Sequence, residues 1–131
     1  MRVAVYGTLK RGFHNHFLLE DSEYLGVDRI KGYSMHSMGY YPAVVTSEDE
    51  NDLISVEVYE VDAETLAALD TLEGYGGFAS KDNMYNRKQI ETVYGDTHFY
   101  EWADPNFAIT EANKVYSGIW VNRVRSFLNV R

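Results

Sequence analysis

The sequence predicts an α+β domain built around a mixed, strongly curved β-sheet or barrel. Short segments rich in β-branched and aromatic residues outnumber the segments with helical periodicity. The two kinds of segment do not alternate regularly, as they would in a parallel α/β fold. With 131 residues, 45% of them hydrophobic, the chain can enclose one core, and we expect a single domain over residues 1–131.

The first predicted strand, Arg2 to Tyr6, breaks at Gly7 and feeds a tight loop that Gly12 closes. A helical turn is expected from His14 to Glu20. Four further strands are predicted from their β-branched and aromatic residues: Tyr24 to Ile30, Tyr33 to Met38, Ala43 to Thr46 and Leu53 to Val61. The acidic run Ser47 to Asp52 is interpreted as a solvated hairpin loop.

The clearest helix is predicted from about Ala63 to Glu73. Asp62 precedes it as a good N-cap, because its carboxylate can accept a hydrogen bond from a free backbone N–H. Gly74 follows at the position where a glycine often ends a helix in the left-handed conformation. Both ends of this helix are therefore specified locally.

Glu73 is the first anomaly of the sequence. It follows Leu66 and Leu69 at helical spacing, so its carboxylate shares the face that the leucines bury. Lost hydration and the negative end of the helix dipole would both raise its pKa. A carboxyl group that titrates near neutrality can accept and return a proton. The alternative is a glutamate that turns to solvent or pairs with Arg87 or Lys88.

After a glycine-rich loop, Tyr85 to Tyr94 and Thr97 to Trp102 read as two strands joined through Gly95-Asp96, a plausible hairpin turn. Near the end of the chain, apolar residues recur at helical spacing and predict a packing helix: Trp120, Val124, Phe127 and Leu128.

Composition excludes several classes of protein. The chain has no cysteine, so thiolate catalysis, disulfides and zinc–thiolate sites are ruled out. Its net charge of −8 would repel phosphate backbones and anionic membrane surfaces. The apolar run after Met1 is too short for a secretory signal, and no stretch approaches the roughly 20 apolar residues of a membrane span. We expect a cytoplasmic protein with no nucleic-acid or membrane partner.

Histidine spacing does not favour a metal site. His14 and His16 are two residues apart, unlike the pair one helical turn apart that binds zinc, and His36 and His98 add no dense cluster. We therefore expect no metal.

The loop from Tyr6 to Gly12 follows a strand and contains two glycines. It is not a phosphate-binding loop of the Walker type, because Phe13 and His14 stand where Lys and Ser or Thr are required. A glycine after a strand nevertheless lets successive backbone N–H groups point at an anion such as a carboxylate. The alternative is an ordinary connecting turn.

Four motifs occur in a specific order: Val5 to Gly12 followed by Asn15-His16, Gly39 to Val44, Glu57 to Val61, and Leu69 to Tyr75 followed by Tyr85-Asn86-Arg87. In these motifs the sequence resembles the γ-glutamylcyclotransferase superfamily, in particular its γ-glutamylamine cyclotransferase-like branch. The resemblance covers nearly the whole chain. It implies a compact mixed barrel flanked by short helices.

The resemblance also implies an activity and its residues. The enzyme would be a cyclotransferase of acyltransferase or lyase type that needs no cofactor. It would convert a small γ-glutamyl amine or amino acid to 5-oxoproline and the free amine. Glu73 matches the catalytic residue of the family, as proton acceptor and donor. The substrate-binding residues would be Tyr6, Gly7, Thr8, Leu9 and Tyr85. A monomer or a homodimer is expected.

Two departures from the family pattern concern the pocket. Val56 stands where family members commonly carry glycine, and the segment from Gly76 to Met84 is longer than usual. The longer segment could reshape the rim of the pocket, so several substrates stay open: γ-glutamyl amino acids, glutathione and γ-glutamyl-ε-lysine. The alternative function is a non-catalytic binding or regulatory domain on the same scaffold, since a fold does not guarantee an activity.

Overall fold

The computed structural model describes residues 1–121, and within them it contains seven strands, one α-helix and one 3-10 helix. The strands are β1 (Arg2–Val5), β2 (Glu23–Lys31), β3 (Tyr33–Ser37), β4 (Pro42–Thr46), β5 (Leu53–Glu60), β6 (Tyr85–Thr92) and β7 (Gly95–Trp102). Helix α1 spans Ala63–Leu72, and the 3-10 helix spans His16–Leu19. The predicted α+β class is confirmed. Of the predicted C-terminal helix, Val124, Phe127 and Leu128 lie outside the described residues.

Five strands form a mixed sheet in the order β2-β5-β1-β7-β6, and β3 and β4 form a separate antiparallel pair. Only the β1–β7 pairing within the described sheet is parallel. The sheet curls so that β2 meets the β6–β7 turn, where the Val93 N–H donates to the Asp28 carboxylate at 2.9 Å. A bulge in β2 brings Gly26 against Tyr94, leaving no room for a side chain.

The β6–β7 hairpin turns earlier than the sequence predicts. Thr92 pairs with Gly95, so Val93 and Tyr94 form the turn, and Gly95 already belongs to β7. The Thr92 hydroxyl oxygen accepts from the Tyr94 N–H at 3.0 Å. This local bond closes the turn at the threonine, so the predicted Gly95-Asp96 turn is wrong by two residues.

The acidic segment from Ser47 to Asp52 is a crossover between sheets and not a hairpin, because β4 and β5 belong to different sheets. It is also not wholly solvated. The Asp52 carboxylate accepts from the Ser47 hydroxyl at 2.6 Å and pairs with the Lys114 ammonium at 2.9 Å. These contacts tie the crossover to the C-terminal segment.

The core lies on both faces of the five-stranded sheet. Alternation along β1 sends Val3 and Val5 to the face covered by α1, and Ala4 to the opposite face. The face opposite α1 includes the predicted row on β5, which is fully buried: Ile54, Val56 and Val58. Strand β1 is therefore enclosed on both sides, and its end is a fixed point from which the next loop starts.

Residues 114–121 form a C-terminal segment that crosses the face of the sheet opposite α1. The Ser55 N–H donates to Gly118 O at 2.9 Å, and the Lys10 ammonium donates to Trp120 O at 2.8 Å. Gly118 has a φ of +69°, and a Cβ there would lie 2.0 Å from Leu53 O. No helix among residues 1–121 is long and apolar enough to cross a membrane.

Candidate active site

A cavity of about 210 Å³ opens where β1 ends. Its wall is built by the loop after β1, the β3–β4 turn, the end of α1, and strands β6 and β7. The structure brings all of the predicted site residues into this wall: Tyr6, Gly7, Thr8, Leu9, Glu73 and Tyr85. Segments far apart in the sequence thus meet at one place.

Glu73 stands at the point where α1 stops. The helix ends at Leu72, one residue earlier than predicted, and Glu73 caps it with its N–H donating to Leu69 O at 2.9 Å. Gly74 then takes a φ of +65°, and the Tyr75 N–H reaches back to Asp70 O at 2.9 Å. This pattern is a Schellman motif, and it orients Glu73 through the backbone on both sides.

Burial raises the pKa of the Glu73 carboxyl to about 7. Among the described residues, no group donates a hydrogen bond to this carboxylate. The alternative cationic partners are engaged elsewhere, because Arg87 pairs with Asp70 and Lys88 pairs with Glu101 at 3.0 Å. Glu73 is therefore half-buried, unpaired within the described chain, and able to exchange a proton near neutral pH.

The loop after β1, which lines the cavity, contains a row of unused backbone donors. Within the described residues, the N–H groups of Gly7, Thr8 and Leu9 have no acceptor. Their carbonyls hold the loop instead: Asn15 N–H donates to Thr8 O at 3.1 Å, and His16 Nδ1 lies 2.9 Å from Leu9 O. Successive free N–H groups form a concave site for an anion.

Gly7 is required by a close approach and not by an unusual backbone conformation. A Cβ at Gly7 would lie 2.7 Å from Pro42 Cγ, which is closer than real contacts of this kind. Pro42 is held in turn by the Tyr85 hydroxyl, which donates to Pro42 O at 2.5 Å. Gly7 therefore meets a packing requirement against β4 that the sequence analysis did not predict.

Three tyrosine hydroxyls near Glu73 all donate to fixed acceptors. The Tyr6 hydroxyl donates to Tyr100 O at 2.6 Å, the Tyr85 hydroxyl to Pro42 O, and the Tyr100 hydroxyl to the Asp70 carboxylate at 2.6 Å. The three hydroxyl protons are used in these bonds, so each tyrosine oxygen can take part in a further hydrogen bond only as an acceptor.

Burial, and to a smaller extent the nearby Glu73 carboxylate, raises the pKa of Tyr6, Tyr85 and Tyr100. For Tyr100, the bond to Asp70 adds to this effect. These rings stay neutral at physiological pH. The Tyr85 ring also contacts Trp102 edge-on, with 5.3 Å between ring centroids.

Sequence reasoning missed Tyr100 and Asp70. The Asp70 carboxylate joins the Tyr100 hydroxyl and the Arg87 guanidinium, so it fixes the end of α1 against β6 and β7. Its spacing of three residues from Glu73 was a usable signal, since such positions are neighbours on a helix. Tyr100 carried no signal, because it is one of 11 tyrosines.

The histidine side chains do not lie together in one cluster. His14 lies in the cavity wall, whereas His16 contacts Leu9 O through its ring nitrogen. In residues 1–121, no group of three or more His, Asp or Glu side chains could hold a metal ion.

Fold and cavity together define a class: a small α+β protein in which a carboxyl group of raised pKa and free backbone donors line the same cavity. The family model described as gamma-glutamyl cyclotransferase, AIG2-like, matches residues 3–122. The chain therefore belongs to this family, and the predicted membership of the γ-glutamylcyclotransferase superfamily is confirmed.

Relatives match along almost the whole chain. The gamma-glutamylcyclotransferase family protein YtfP of Escherichia coli strain K12 is 33% identical over 123 residues, covering 94% of this chain and 98% of that protein. A crystal structure of Pyrococcus horikoshii protein PH0828 superposes with a TM-score of 0.78 at 30% identity, covering 100% and 98% of the two chains. An AIG2-like protein from Mus musculus shares the fold, with a TM-score of 0.63 at 22% identity over 92% and 94%.

Proposed function

We propose that this protein is a γ-glutamyl cyclotransferase that releases 5-oxoproline and a free amine from a small γ-glutamyl amide. The main observation in support of the proposal is that a carboxyl group of raised pKa and free backbone donors line one cavity. Glu73 has a pKa of about 7 and no partner among the described residues, and it shares the wall with the free N–H groups of Gly7 to Leu9. Family membership supports the same reaction class.

The glutamyl group would bind by its charged end. Its α-carboxylate accepts hydrogen bonds from the backbone N–H groups of Gly7, Thr8 and Leu9, which otherwise have no acceptor within the described chain. Its α-ammonium faces the side of the cavity that carries Glu73, with Tyr85 in the same wall. This orientation folds the substrate so that its own amine can approach the γ-carbonyl.

The reaction moves two protons from the attacking nitrogen to the departing nitrogen. The ionised Glu73 takes a proton from the α-ammonium, and the resulting amine attacks the γ-carbonyl carbon to form the new C–N bond. The protonated Glu73 donates this proton to the departing nitrogen as the old C–N bond breaks, and Glu73 then passes the second proton of the attacking nitrogen to the released amine. The α-ammonium becomes the lactam N–H and the departing nitrogen becomes an ammonium, so the balance needs no outside reagent. A pKa of about 7 suits both transfers.

The proposal also covers the cofactor requirement, the enzyme type, the oligomeric state and the location of the protein. Because the nucleophile is part of the substrate, the reaction requires no cofactor, and the enzyme is of acyltransferase or lyase type. The single domain, the monomeric or homodimeric state and the cytoplasmic location are proposed with it. The net charge of −8 favours a small-molecule substrate over nucleic acid.

Release of 5-oxoproline from γ-glutamyl amides and γ-glutamyl amino acids tests the proposal. Glu73→Gln should lower kcat/KM by about 100-fold or more, the usual contribution of general acid–base catalysis, while the variant still folds. Glu64→Gln is the matched control, because Glu64 lies exposed in the first turn of the same helix. Its turnover should equal that of the wild type.

Two outcomes contradict the proposal. A folded Glu73→Gln enzyme with undiminished turnover would remove Glu73 from the mechanism. A folded wild type that releases no 5-oxoproline from any of these substrates would favour the non-catalytic binding domain.

A further inference from the structure

Two contacts join Asn15 to Thr8 between β1 and the 3-10 helix. The Asn15 backbone N–H donates to Thr8 O at 3.1 Å, and the Asn15 side-chain amide Nδ2 donates to Thr8 Oγ1 at 2.9 Å. Both residues are half-buried, and both line the cavity that Glu73 also lines. Of the two contacts, only the second depends on the side chain of Asn15.

The side-chain contact limits the hydrogen bonds that the Thr8 hydroxyl can still make. A threonine hydroxyl carries one proton to donate and two lone pairs that accept. Because the Asn15 amide donates to one of these lone pairs, the hydroxyl proton is not directed at that amide nitrogen. Within residues 1–121, no group accepts this proton. The Thr8 hydroxyl is therefore a donor that no described protein group uses.

The hydroxyl belongs to the same residue as one of the free backbone donors. The N–H groups of Gly7 to Leu9 have no acceptor within the described chain. A carboxylate has about four lone-pair sites on its two oxygens, so it can accept from a fourth donor beside these three. The three tyrosine hydroxyls near Glu73 are not available for this purpose, because each already donates to a protein acceptor.

Other contacts hold the loop independently of the Asn15 side chain. The Lys10 N–H donates to Gly7 O at 3.1 Å, and the Arg11 N–H donates to the Glu57 carboxylate at 2.9 Å. The backbone contact of Asn15 is retained by any residue except proline, which has no N–H. A substitution of the Asn15 side chain should therefore affect the neighbouring hydroxyl and leave the row of backbone donors in place.

Building on the cyclotransferase function proposed above, we propose that Asn15 is a positioning residue that keeps the Thr8 hydroxyl as a hydrogen-bond donor to the α-carboxylate of a bound glutamyl group. The carboxylate then accepts from this hydroxyl as well as from the N–H groups of Gly7 to Leu9. A hydrogen bond to an ionised acceptor is stronger than one between neutral groups, so the hydroxyl adds to the affinity for the ligand. Asn15 acts only through Thr8.

Substitutions of Thr8 test the hydroxyl itself. With γ-glutamyl-ethylamide as substrate, Thr8→Val keeps the branched shape, removes the hydroxyl and should raise KM by about tenfold. Its kcat should stay within about twofold of the wild type, because the carboxylate is bound alike in the ground state and the transition state. Thr8→Ser restores a hydroxyl and should recover most of the affinity. A wild-type KM in folded Thr8→Val, or an equal rise in Thr8→Ser, would overturn the inference.

Two substitutions of Asn15 change the hydroxyl to different extents. Asn15→Ala leaves the Thr8 proton free to turn elsewhere, so KM should rise by about threefold. Asn15→Asp places an acceptor beside the hydroxyl, which then donates to the aspartate in place of the ligand, so KM should rise by about tenfold or more. A smaller effect of Asn15→Asp than of Asn15→Ala would overturn the inference.

Asn106→Asp is the matched control for the added charge. Asn106 is exposed and lies outside the cavity wall, so this variant should keep the KM of the wild type. A rise in KM equal to that of Asn15→Asp would assign the effect to net charge and overturn the inference.

Combining the two positions separates a positioning role from a structural one. If Asn15 acts only through the Thr8 hydroxyl, Asn15→Ala should change KM by less than about twofold in a Thr8→Val background. Residues that act independently would instead show the same loss in both backgrounds. That additive result would overturn the positioning role.

Calorimetric binding of γ-glutamyl-ethylamide to the same variants keeps this inference separate from the proposed function. If the wild type releases no 5-oxoproline, the cyclotransferase function fails, and the affinities alone decide the inference. Weaker binding to Thr8→Val and Asn15→Asp than to the wild type, with recovery in Thr8→Ser, supports the inference. Equal affinity for all of the variants, or no binding to the wild type, overturns it.

Discussion

Glu73 owes its proton affinity to its position at the last turn of α1. Burial there raises the pKa of its carboxyl from the usual 4.5 to about 7. The carboxylate must be ionised to take the proton of the substrate ammonium, so kcat/KM should rise with pH through about 7. Glu64→Gln should show the same rise. A wild-type profile that is flat between pH 5.5 and 8 would contradict this assignment.

The same shift makes a prediction about stability. Because the pKa of Glu73 is raised in the folded state, the folded state favours the protonated form, and stability is lost as pH rises from 4.5 to about 7. Glu73→Gln removes this loss. We expect the variant to exceed the wild type by on the order of 2 kcal/mol in free energy of unfolding at pH 8, and by little at pH 4.5. Urea denaturation at both pH values measures the difference, and an equal gain at both would contradict it.

Gly7 is sensitive to substitution because it lies close to Pro42. Gly7→Ala places a methyl group 2.7 Å from Pro42 Cγ, so the loop or β4 must shift. We expect a loss of about 1–3 kcal/mol in free energy of unfolding and a fall in kcat/KM. Gly76→Ala is the matched control, since its nearest atom would be 3.6 Å away and its φ is ordinary. Gly7→Ala with wild-type activity and stability would contradict this expectation, because the loop would then accommodate the methyl group without a loss of stability.

At the level of elements, α1 is fixed by different contacts at its two ends. Asp62 caps the first turn, with the Thr65 N–H donating to its carboxylate at 2.7 Å. Asp70 fixes the last turn through Arg87 and the Tyr100 hydroxyl. The first contact stabilises the helix alone, whereas the second sets where Glu73 lies relative to β6 and β7.

Substitution of each aspartate separates these roles. Asp62→Ala should cost about 1 kcal/mol in unfolding free energy and leave kcat/KM unchanged. Asp70→Ala should cost about 2–3 kcal/mol, because the partly buried Arg87 loses its partner, and should also lower kcat. Thermal unfolding and the pH profile of kcat/KM measure both effects. A pH profile identical to that of the wild type in Asp70→Ala would rule out a positioning role.

Local signals predicted α1 and its odd carboxylate, because the cap at Asp62, the glycine at Gly74 and the spacing to Glu73 all lie within one helix. Contacts between elements could not be predicted in this way. The pairing of Arg87 with Asp70, and the closeness of Gly7 to Pro42, depend on how α1 and β4 dock onto the sheet. Likewise, the segment between β4 and β5 is predicted as a hairpin loop, because nothing in the sequences of the two strands shows that they join different sheets.

For the molecule as a whole, the C-terminal segment 114–121 connects parts that are distant in the chain. Gly118→Ala should destabilise strongly, by about 3 kcal/mol or more, because a Cβ would lie 2.0 Å from Leu53 O as well as requiring a φ of +69°. Gly77→Ala controls for the backbone alone, since its φ is +116° and its surroundings are open. It should cost about 1 kcal/mol. Equal midpoints of thermal unfolding for the two variants would contradict the steric account.

The edge-on contact between Tyr85 and Trp102 has a spectroscopic consequence. Trp102 is one of only 2 tryptophans, and its ring lies against a residue of the cavity wall. The other, Trp120, is joined through its carbonyl to Lys10 in the loop after β1. The Trp102 indole therefore senses the surroundings of the cavity, so the protein's own emission spectrum can report occupancy without an attached dye.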